Sequence, residues 1–254
     1  MGKVIVVASG KGGTGKTLFT ANMGALLAMG GKKVVLLDMD LGLRNLDLYL
    51  GLESKVVYNV MDVLSGMCRI KQALIKDRRF PEMYMVAAAP TKDDRDITPL
   101  HMEILCNKLK ESFDYVIVDA PAGIGDGLSL AAAGADQAVI ITEAEFASIR
   151  DADALDRELL SMGIKKRSCV INKVNAELMA MGVIPNLESI SRGLRVEIVG
   201  IIQYDDNVFI ATNRGVPIVL KPGTYIEKNF RKIVQRILLE DDPTVLDGHV
   251  DHEA

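Results

Sequence analysis

The sequence is short of several residue types, and each shortage excludes a class of protein. Its 254 residues include no tryptophan, only three cysteines and 5% aromatic residues. An odd number of widely spaced cysteines cannot supply the disulfide framework of a small secreted domain, so we expect a reduced, cytoplasmic protein. No apolar run approaches the roughly 18–20 residues that span a bilayer. The N-terminal apolar run of about six residues is also too short for a signal peptide.

Positive charge is scarce as well. The chain carries 30 lysine and arginine residues against 34 aspartate and glutamate residues, a formal net charge of −4. Electrostatically driven binding of nucleic acid needs a cationic surface, so we expect no nucleic-acid partner. The composition is otherwise that of an ordinary globular chain. Its length suits one large domain, which we predict over residues 1–240.

A glycine-rich turn follows the first apolar run, at residues 3–8. Gly10, Gly15, Lys16 and Thr17 meet the phosphate-loop pattern G-x-x-x-x-G-K-[ST], and a helical segment comes next. Glycines allow successive backbone N–H groups to face a phosphate, and the helix N-terminus adds its positive dipole end. Lys16 would reach the β- and γ-phosphates, and the Thr17 hydroxyl would ligate Mg²⁺. The turn therefore predicts a nucleotide site.

Apolar, β-branched segments recur along the chain with helical segments between them. Several are apolar throughout, as expected of parallel strands that are covered on both faces. The alternation predicts an α/β fold with a doubly wound, mostly parallel sheet and helices on both faces. We predict strands at residues 3–8, 33–38, 83–88, 115–119, 137–142, 168–172 and 198–203.

Polar side chains end three more of these strands, at the edge of the sheet where ligands bind in such folds. Asp38 and Asp40 end the second strand, Asp119 the fourth and Asn172 the sixth. Asp119 suits a Mg²⁺ ligand, with a helix cap as the alternative for a polar residue at a strand end. We assign the attacking water to Asp40, which lies further out in the loop, and a supporting, metal-binding role to Asp38. A salt-bridged structural role for one of the two is the alternative.

Lys11 is a second lysine within the phosphate loop. Together with Lys16 it resembles the deviant Walker A pattern of the ParA/MinD family of ATPases. In that family the extra lysine enters the partner subunit's site and neutralises phosphate charge, as an arginine finger does. The resemblance therefore implies a homodimer that encloses two ATP molecules.

Further segments narrow the resemblance to the MinD-type members of this family. They lie at residues 40–48, 56–60, 73–77, 119–124, 148–153 and 213–219. The resemblance implies a nucleotide-switched, Mg²⁺-dependent ATPase that positions the cell-division septum. Its partners would be a second copy of the chain, a MinC-like inhibitor and a MinE-like or other activator.

The resemblance also implies roles for individual residues. Adenine would contact Asn172, Gln203 and Asp205. Glu145 and Asp151 would lie near the extra lysine, the dimer interface and the regulator site, with a charged, solvated helix face as the alternative for either. The metal set would be Thr17, Asp38 and Asp119, and the catalytic set Lys11, Lys16, Asp40 and Asp119. The phosphates would be held by Lys11, Gly12, Gly13, Thr14, Gly15, Lys16, Thr17 and Leu18.

The C-terminal part departs from the family's usual basic amphipathic anchor. Residues 225–239 carry an apolar stripe flanked by cations, which suits an interfacial helix or a helix packed on the protein body; we favour packing. Residues 240–254 contain six acids and neither lysine nor arginine, and an anionic leaflet would repel them. We expect residues 241–254 to form a flexible acidic tail. The sequence leaves attachment to the inner face of the cell membrane open.

Other functions within reach of this loop fit less well. ParA-type chromosome or plasmid partition needs a basic surface, and flagellar-number ATPases usually carry an extension before the loop. Iron-protein reductases need a cluster cysteine in the segment that residues 120–130 occupy here, and cobyrinic acid amidases need a further domain. Residues 172–175 lack the aspartate of the guanine motif N-K-x-D, so we expect ATP rather than GTP.

Overall fold

The computed structural model describes residues 2–91 and 97–238 of the chain. The predicted acidic tail lies outside the described residues, as does the last position of the helix that the sequence predicts over residues 225–239.

Within the described residues, eight strands form one sheet in the order β3-β4-β2-β5-β1-β6-β7-β8. Neighbouring strands are parallel except for β3 and β4, which pair antiparallel at one edge. The doubly wound α/β fold is therefore confirmed. The strands are β1 (Lys3–Ser9), β2 (Val34–Asp38), β3 (Ile75–Lys76), β4 (Met83–Val86), β5 (Tyr115–Ala122), β6 (Gln137–Glu143), β7 (Lys166–Val174) and β8 (Glu197–Gln203).

Helices cover both faces of the sheet and bury one apolar cluster on each. One cluster lies under α1 and α11, and the other lies under α5, α6 and α7. The helices are α1 (Lys16–Met29), α2 (Leu46–Tyr49), α3 (Val60–Leu64), α4 (Ile70–Ala73), α5 (Pro99–Lys110), α6 (Asp126–Ala132), α7 (Phe146–Ser161), α8 (Ala176–Ala180), α9 (Leu187–Gly193), α10 (Asp206–Asn213) and α11 (Tyr225–Leu238), with 3₁₀ turns at Glu53–Lys55 and Ile218–Leu220.

The seven predicted strands are all present, and most of their bounds agree to within one or two residues. The edge strand β3 is missing from the prediction, because two residues are too short to show the period-2 pattern of a strand. It is short and antiparallel, as is common for strands at the edge of a sheet.

Helix α11 packs on the protein body, as predicted. Its apolar stripe is buried against the sheet and α1, and the Phe230 ring lies 5.9 Å from the ring of Phe19. The cations of the helix lie on its outer side or reach back to the body, as Arg236 does to the Val199 carbonyl. Among the described residues, no helix is both long enough and apolar enough to cross a bilayer. The buried stripe consists of Ile226, Phe230, Ile233, Val234 and Ile237.

Candidate functional site

The phosphate loop connects β1 to α1 at the carboxyl edge of the sheet. Gly15 caps α1 with a left-handed backbone (φ +95°), and a Cβ atom built there would lie 2.2 Å from the Asn172 amide nitrogen. Only glycine fits this position, for both reasons. A Cβ atom built on Gly10 would lie 2.6 Å from the Asp151 Cβ atom, so Asp151 lies beside the loop, where the family resemblance implies it.

Two side chains at the end of β7 hold the loop from outside. The Asn172 amide donates to the Thr14 carbonyl at 2.7 Å, and the Lys173 ammonium donates to the Gly13 carbonyl at 2.5 Å. Lys173 also pairs with Glu143 at 3.0 Å. Both bonds turn loop carbonyls outward. This favours N–H groups that face inward, toward an anion.

Asp119 lies under the start of α1 and is almost completely buried. Its carboxylate accepts from the Thr17 hydroxyl at 2.6 Å and from the Thr20 hydroxyl at 3.3 Å. Burial raises the pKa of Asp119 to about 6, and the Lys16 ammonium and the Thr17 hydroxyl oppose that rise. A carboxylate and a hydroxyl are therefore in contact where the sequence predicts metal ligands.

Asp38 pairs with Asp119 in register across β2 and β5. Its two carboxylate oxygens accept from the backbone N–H groups of Asp40 and Leu46, at 3.0 and 3.1 Å. Burial raises the pKa of Asp38 to about 7, and the neighbouring charge of Asp119 adds to the rise. The backbone N–H donors oppose it.

These carboxylates fit a hard divalent cation, because such an ion takes oxygen ligands and relieves repulsion between buried acids. In the described part of the chain, no group of three or more acidic, histidine or cysteine side chains could hold a metal by itself. A Mg²⁺ ion would therefore need phosphate oxygens as well, which is its usual arrangement at nucleotide sites.

Asp40 follows Asp38 by two residues and lines a cleft at this edge of the sheet. Partial burial raises its pKa, and the Lys16 ammonium opposes that rise. A carboxylate at this position can hold a water molecule beside a bound phosphate, which is the role that the sequence predicts.

Lys11 does not line the cleft. Its ammonium pairs with Glu145 at 2.7 Å, and Glu145 also accepts from the Ser148 hydroxyl at 3.2 Å. The pair is exposed to solvent; it raises the pKa of Lys11 and lowers that of Glu145. Glu145 therefore lies beside the second lysine, as expected, and both residues belong to the same chain.

A cleft of about 730 Å³ opens at this edge of the sheet and gathers most of the predicted residues. Lys11 and Thr14 do not line it, and neither do the buried residues Asp38 and Asp119. The predicted residues that line it are Gly12, Gly13, Gly15, Lys16, Thr17, Leu18, Asp40, Asn172, Gln203 and Asp205.

Several cleft residues were not predicted. Tyr49 from α2, and Phe209 and Thr212 from α10, line its walls, and Lys173 holds the phosphate loop. The position of Lys173 next to Asn172, at the end of a predicted strand, is a signal that could have been used. The aromatic residues carry no such signal, because only the folded chain brings α2 and α10 to the cleft.

Comparison with known proteins identifies the family. The sequence profile of the CobQ/CobB/MinD/ParA nucleotide binding domain matches residues 5–218. The septum site-determining protein MinD of Bacillus subtilis is 41% identical over 245 residues, which is 96% of this chain and 91% of that protein. MinD of Synechocystis is 42% identical over 244 residues, which is 96% of this chain and 92% of that protein.

Solved structures agree with the sequence comparisons. A chain of the MinC:MinD cell division protein complex of Aquifex aeolicus superposes with a TM-score of 0.86 at 36% identity, over 99% of both chains. MinD of Pyrococcus horikoshii complexed with Mg-ADP superposes with a TM-score of 0.82 at 26% identity, over 93% of this chain and 96% of that one. Fold, site and relatives coincide, and the chain belongs to the MinD family of septum site-determining ATPases.

Proposed function

We propose that this protein binds and hydrolyses Mg-ATP, and that ATP holds two copies of it together in a switch that positions the division septum. The observation that supports this most strongly is the phosphate loop, with Lys16 and the Thr17–Asp119 pair at the edge of one cleft. In this proposal the switch works in the cytoplasm, peripheral to the inner face of the cell membrane.

Each residue would contribute one part of the chemistry. The loop N–H groups and Lys16 would hold the phosphates, and Asn172, Gln203 and Asp205 would contact adenine. Thr17 and Asp119, supported by Asp38, would hold Mg²⁺, which neutralises the phosphate charge. Asp40 would orient the attacking water.

The proposal of a homodimer is supported by Lys11 and by the exposed apolar residues of the cleft. While it pairs with Glu145, Lys11 cannot reach the phosphates of a nucleotide bound to the same chain. Its side chain is 37% exposed and is free to turn toward a second copy. Leu43, Tyr204 and Phe209 line the cleft and are exposed there, and a second copy across the cleft would cover them. Dimerisation would therefore exchange Glu145 for phosphate as the partner of Lys11.

The partners follow from the relatives. A MinC:MinD complex is known from Aquifex aeolicus, and a MinC-like inhibitor is accordingly the partner that we propose for the ATP-bound form. We also propose an activator of MinE type that accelerates hydrolysis and releases the dimer, so that affinity for partners follows the nucleotide state.

Calorimetry of Mg-ATP binding tests the nucleotide site. Lys16→Ala removes the only side chain that we expect to reach two phosphates, so the affinity should fall by about 100-fold or more, at about 1.5–3 kcal/mol for each hydrogen bond to a charged group. Lys71→Ala, an exposed lysine outside the cleft, serves as the matched control and should bind like the unchanged chain. Near-normal affinity of Lys16→Ala would remove the site assignment.

A further inference from the structure

Two helices that line the cleft meet at their C-terminal ends. Helix α2 brings Tyr49 to the cleft and ends beside Gly51, and helix α10 brings Phe209 and ends before Gly215. The predicted adenine contact Asp205 caps the other end of α10, by accepting from a backbone N–H at 2.8 Å. The contact between the two helix ends therefore affects the distance between the cleft walls that these helices form.

Backbone meets backbone at this junction. Gly51 and Gly215 both adopt left-handed conformations, with φ of +59° and +61°. A Cβ atom built on Gly215 would lie 2.6 Å from the Gly51 Cα atom. Neither residue can therefore offer a side chain to hold the two helices together.

Arg79 makes that connection. Its guanidinium donates to the Leu50 carbonyl at 2.6 Å and to the Gly215 carbonyl at 2.9 Å. Carbonyls at helix ends lack partners within the helix and carry partial negative charge, so a cation suits them. One planar group thus bridges the two helix ends.

Asp77 orients the guanidinium from the other side. Its carboxylate, which is nearly buried, accepts from the Arg79 Nε atom at 2.9 Å and from a terminal nitrogen at 2.6 Å. Such fork-like pairs fix the plane of an arginine as well as its charge. Both residues lie in the turn between β3 and β4, so the antiparallel edge strand places the bridge.

Helix α2 is also held at its N-terminal end. The backbone N–H of Leu46, the first residue of α2, donates to Asp38 at 3.1 Å. Helix α2 is therefore fixed at one end to a predicted metal-site carboxylate, and at the other end to Arg79 and α10.

We propose that Arg79 is a positioning residue for nucleotide binding, because it holds α2 and α10 together and so sets the spacing of the cleft walls beside the nucleoside. The proposal rests on the proposed function, that this cleft binds ATP. It assigns Arg79 no contact with the nucleotide and no part in the chemical step.

Calorimetry with two ligands separates positioning from general damage. Inorganic tripolyphosphate carries the phosphates without the nucleoside. For Arg79→Ala we expect Mg-ATP affinity to fall on the order of tenfold, while tripolyphosphate affinity stays unchanged. Arg79→Lys should be intermediate, because an ammonium can reach one carbonyl but lacks the planar fork.

Gly215→Ala tests the same junction with Arg79 in place. The added methyl group pushes the helix ends apart, so we expect the same selective loss of ATP affinity. Arg192→Ala, which removes a highly exposed arginine from α9, is the control and should bind both ligands normally.

The outcomes are distinct. Unchanged ATP affinity in Arg79→Ala, or an equal loss of ATP and tripolyphosphate, overturns the positioning role. If Arg79→Ala does not fold, Gly215→Ala and Arg79→Lys decide the question by the same comparison. Failure of the unchanged chain to bind ATP would refute the proposed function instead.

Discussion

At the scale of single residues, the functional side chains are held by partners that are distant along the chain. The bond from Thr17 to Asp119 spans 102 positions, and the bond from Lys173 to the Gly13 carbonyl spans 160. Asp38 is held by local backbone donors instead. Asp38, Asp119 and Lys173 are therefore held in place before a ligand arrives, which lowers the cost of ordering on binding.

Asp40 is the residue on which hydrolysis should depend. In Asp40→Ala we expect Mg-ATP to bind normally and turnover to fall about 10²- to 10⁴-fold, the usual contribution of a positioned acid or base. Phosphate release under single-turnover conditions measures this. Glu188→Ala, an exposed carboxylate on α9, is the control. Wild-type turnover in Asp40→Ala would exclude Asp40 from catalysis.

Lys173 should matter for binding through the loop that it holds. Lys173→Ala frees the Gly13 carbonyl, so the loop N–H groups are less well ordered toward phosphate, and we expect Mg-ATP affinity to fall by about tenfold or less. Calorimetry measures the loss, with the exposed Lys165→Ala as its control. An affinity that does not change would show that Asn172 alone orders the loop.

Site residues are predictable where a motif fixes both the residue type and the spacing. Lys16, Thr17 and Asp119 are predictable because phosphate and Mg²⁺ demand particular groups at a fixed spacing. Lys173 acts on a carbonyl through a strand end with φ of +54°, and no composition or period in the sequence encodes that conformation. The sequence predicts only that Glu145 lies near Lys11, because the rotamers that bring the two charges together depend on the folded surface.

At the scale of elements, α11 shows how packing decides between two uses of one amphipathic pattern. A stripe of apolar residues beside cations suits a membrane surface or a protein core equally well. In the structure the stripe is buried, and Phe230 lies against Phe19 of α1, the helix that begins with Lys16. Helix α11 therefore packs against the helix that follows the phosphate loop.

Phe230→Ala tests that role. Removing a fully buried phenylalanine should lower the free energy of unfolding by about 3–5 kcal/mol, measured by urea denaturation. Tyr225→Ala, an exposed aromatic residue in the first turn of the same helix, should change it by no more than about 0.5 kcal/mol. Equal, small effects of the two substitutions would mean that α11 does not pack on the body.

Element prediction failed where the pattern is too short to carry a period. Strand β3 has two residues, yet its hairpin with β4 carries Asp77 and Arg79 to the junction of α2 and α10. The long buried strands β1, β5 and β6 are predictable because their apolar runs are continuous.

At the scale of the whole molecule, strand order decides which distant residues share a site. The order β2-β5-β1-β6-β7 brings four loop regions to one edge, and the parallel direction makes all of them carboxyl-terminal. The alternation of strands and helices predicts this edge. It does not predict that α10 and α2 close the cleft, since their contact depends on tertiary packing alone.

ATP should join two copies of the chain, and Lys11 should act across the interface between them. Light scattering of Asp40→Ala, which should bind ATP without consuming it, measures this directly with Mg-ATP and with Mg-ADP. We predict the mass of two chains with ATP and of one chain with ADP, and the mass of one chain with either nucleotide once Lys11→Ala is added. A single-chain mass with Mg-ATP would contradict the ATP-bound dimer, and an ATP dimer that survives the loss of Lys11 would contradict the role of Lys11 across the interface.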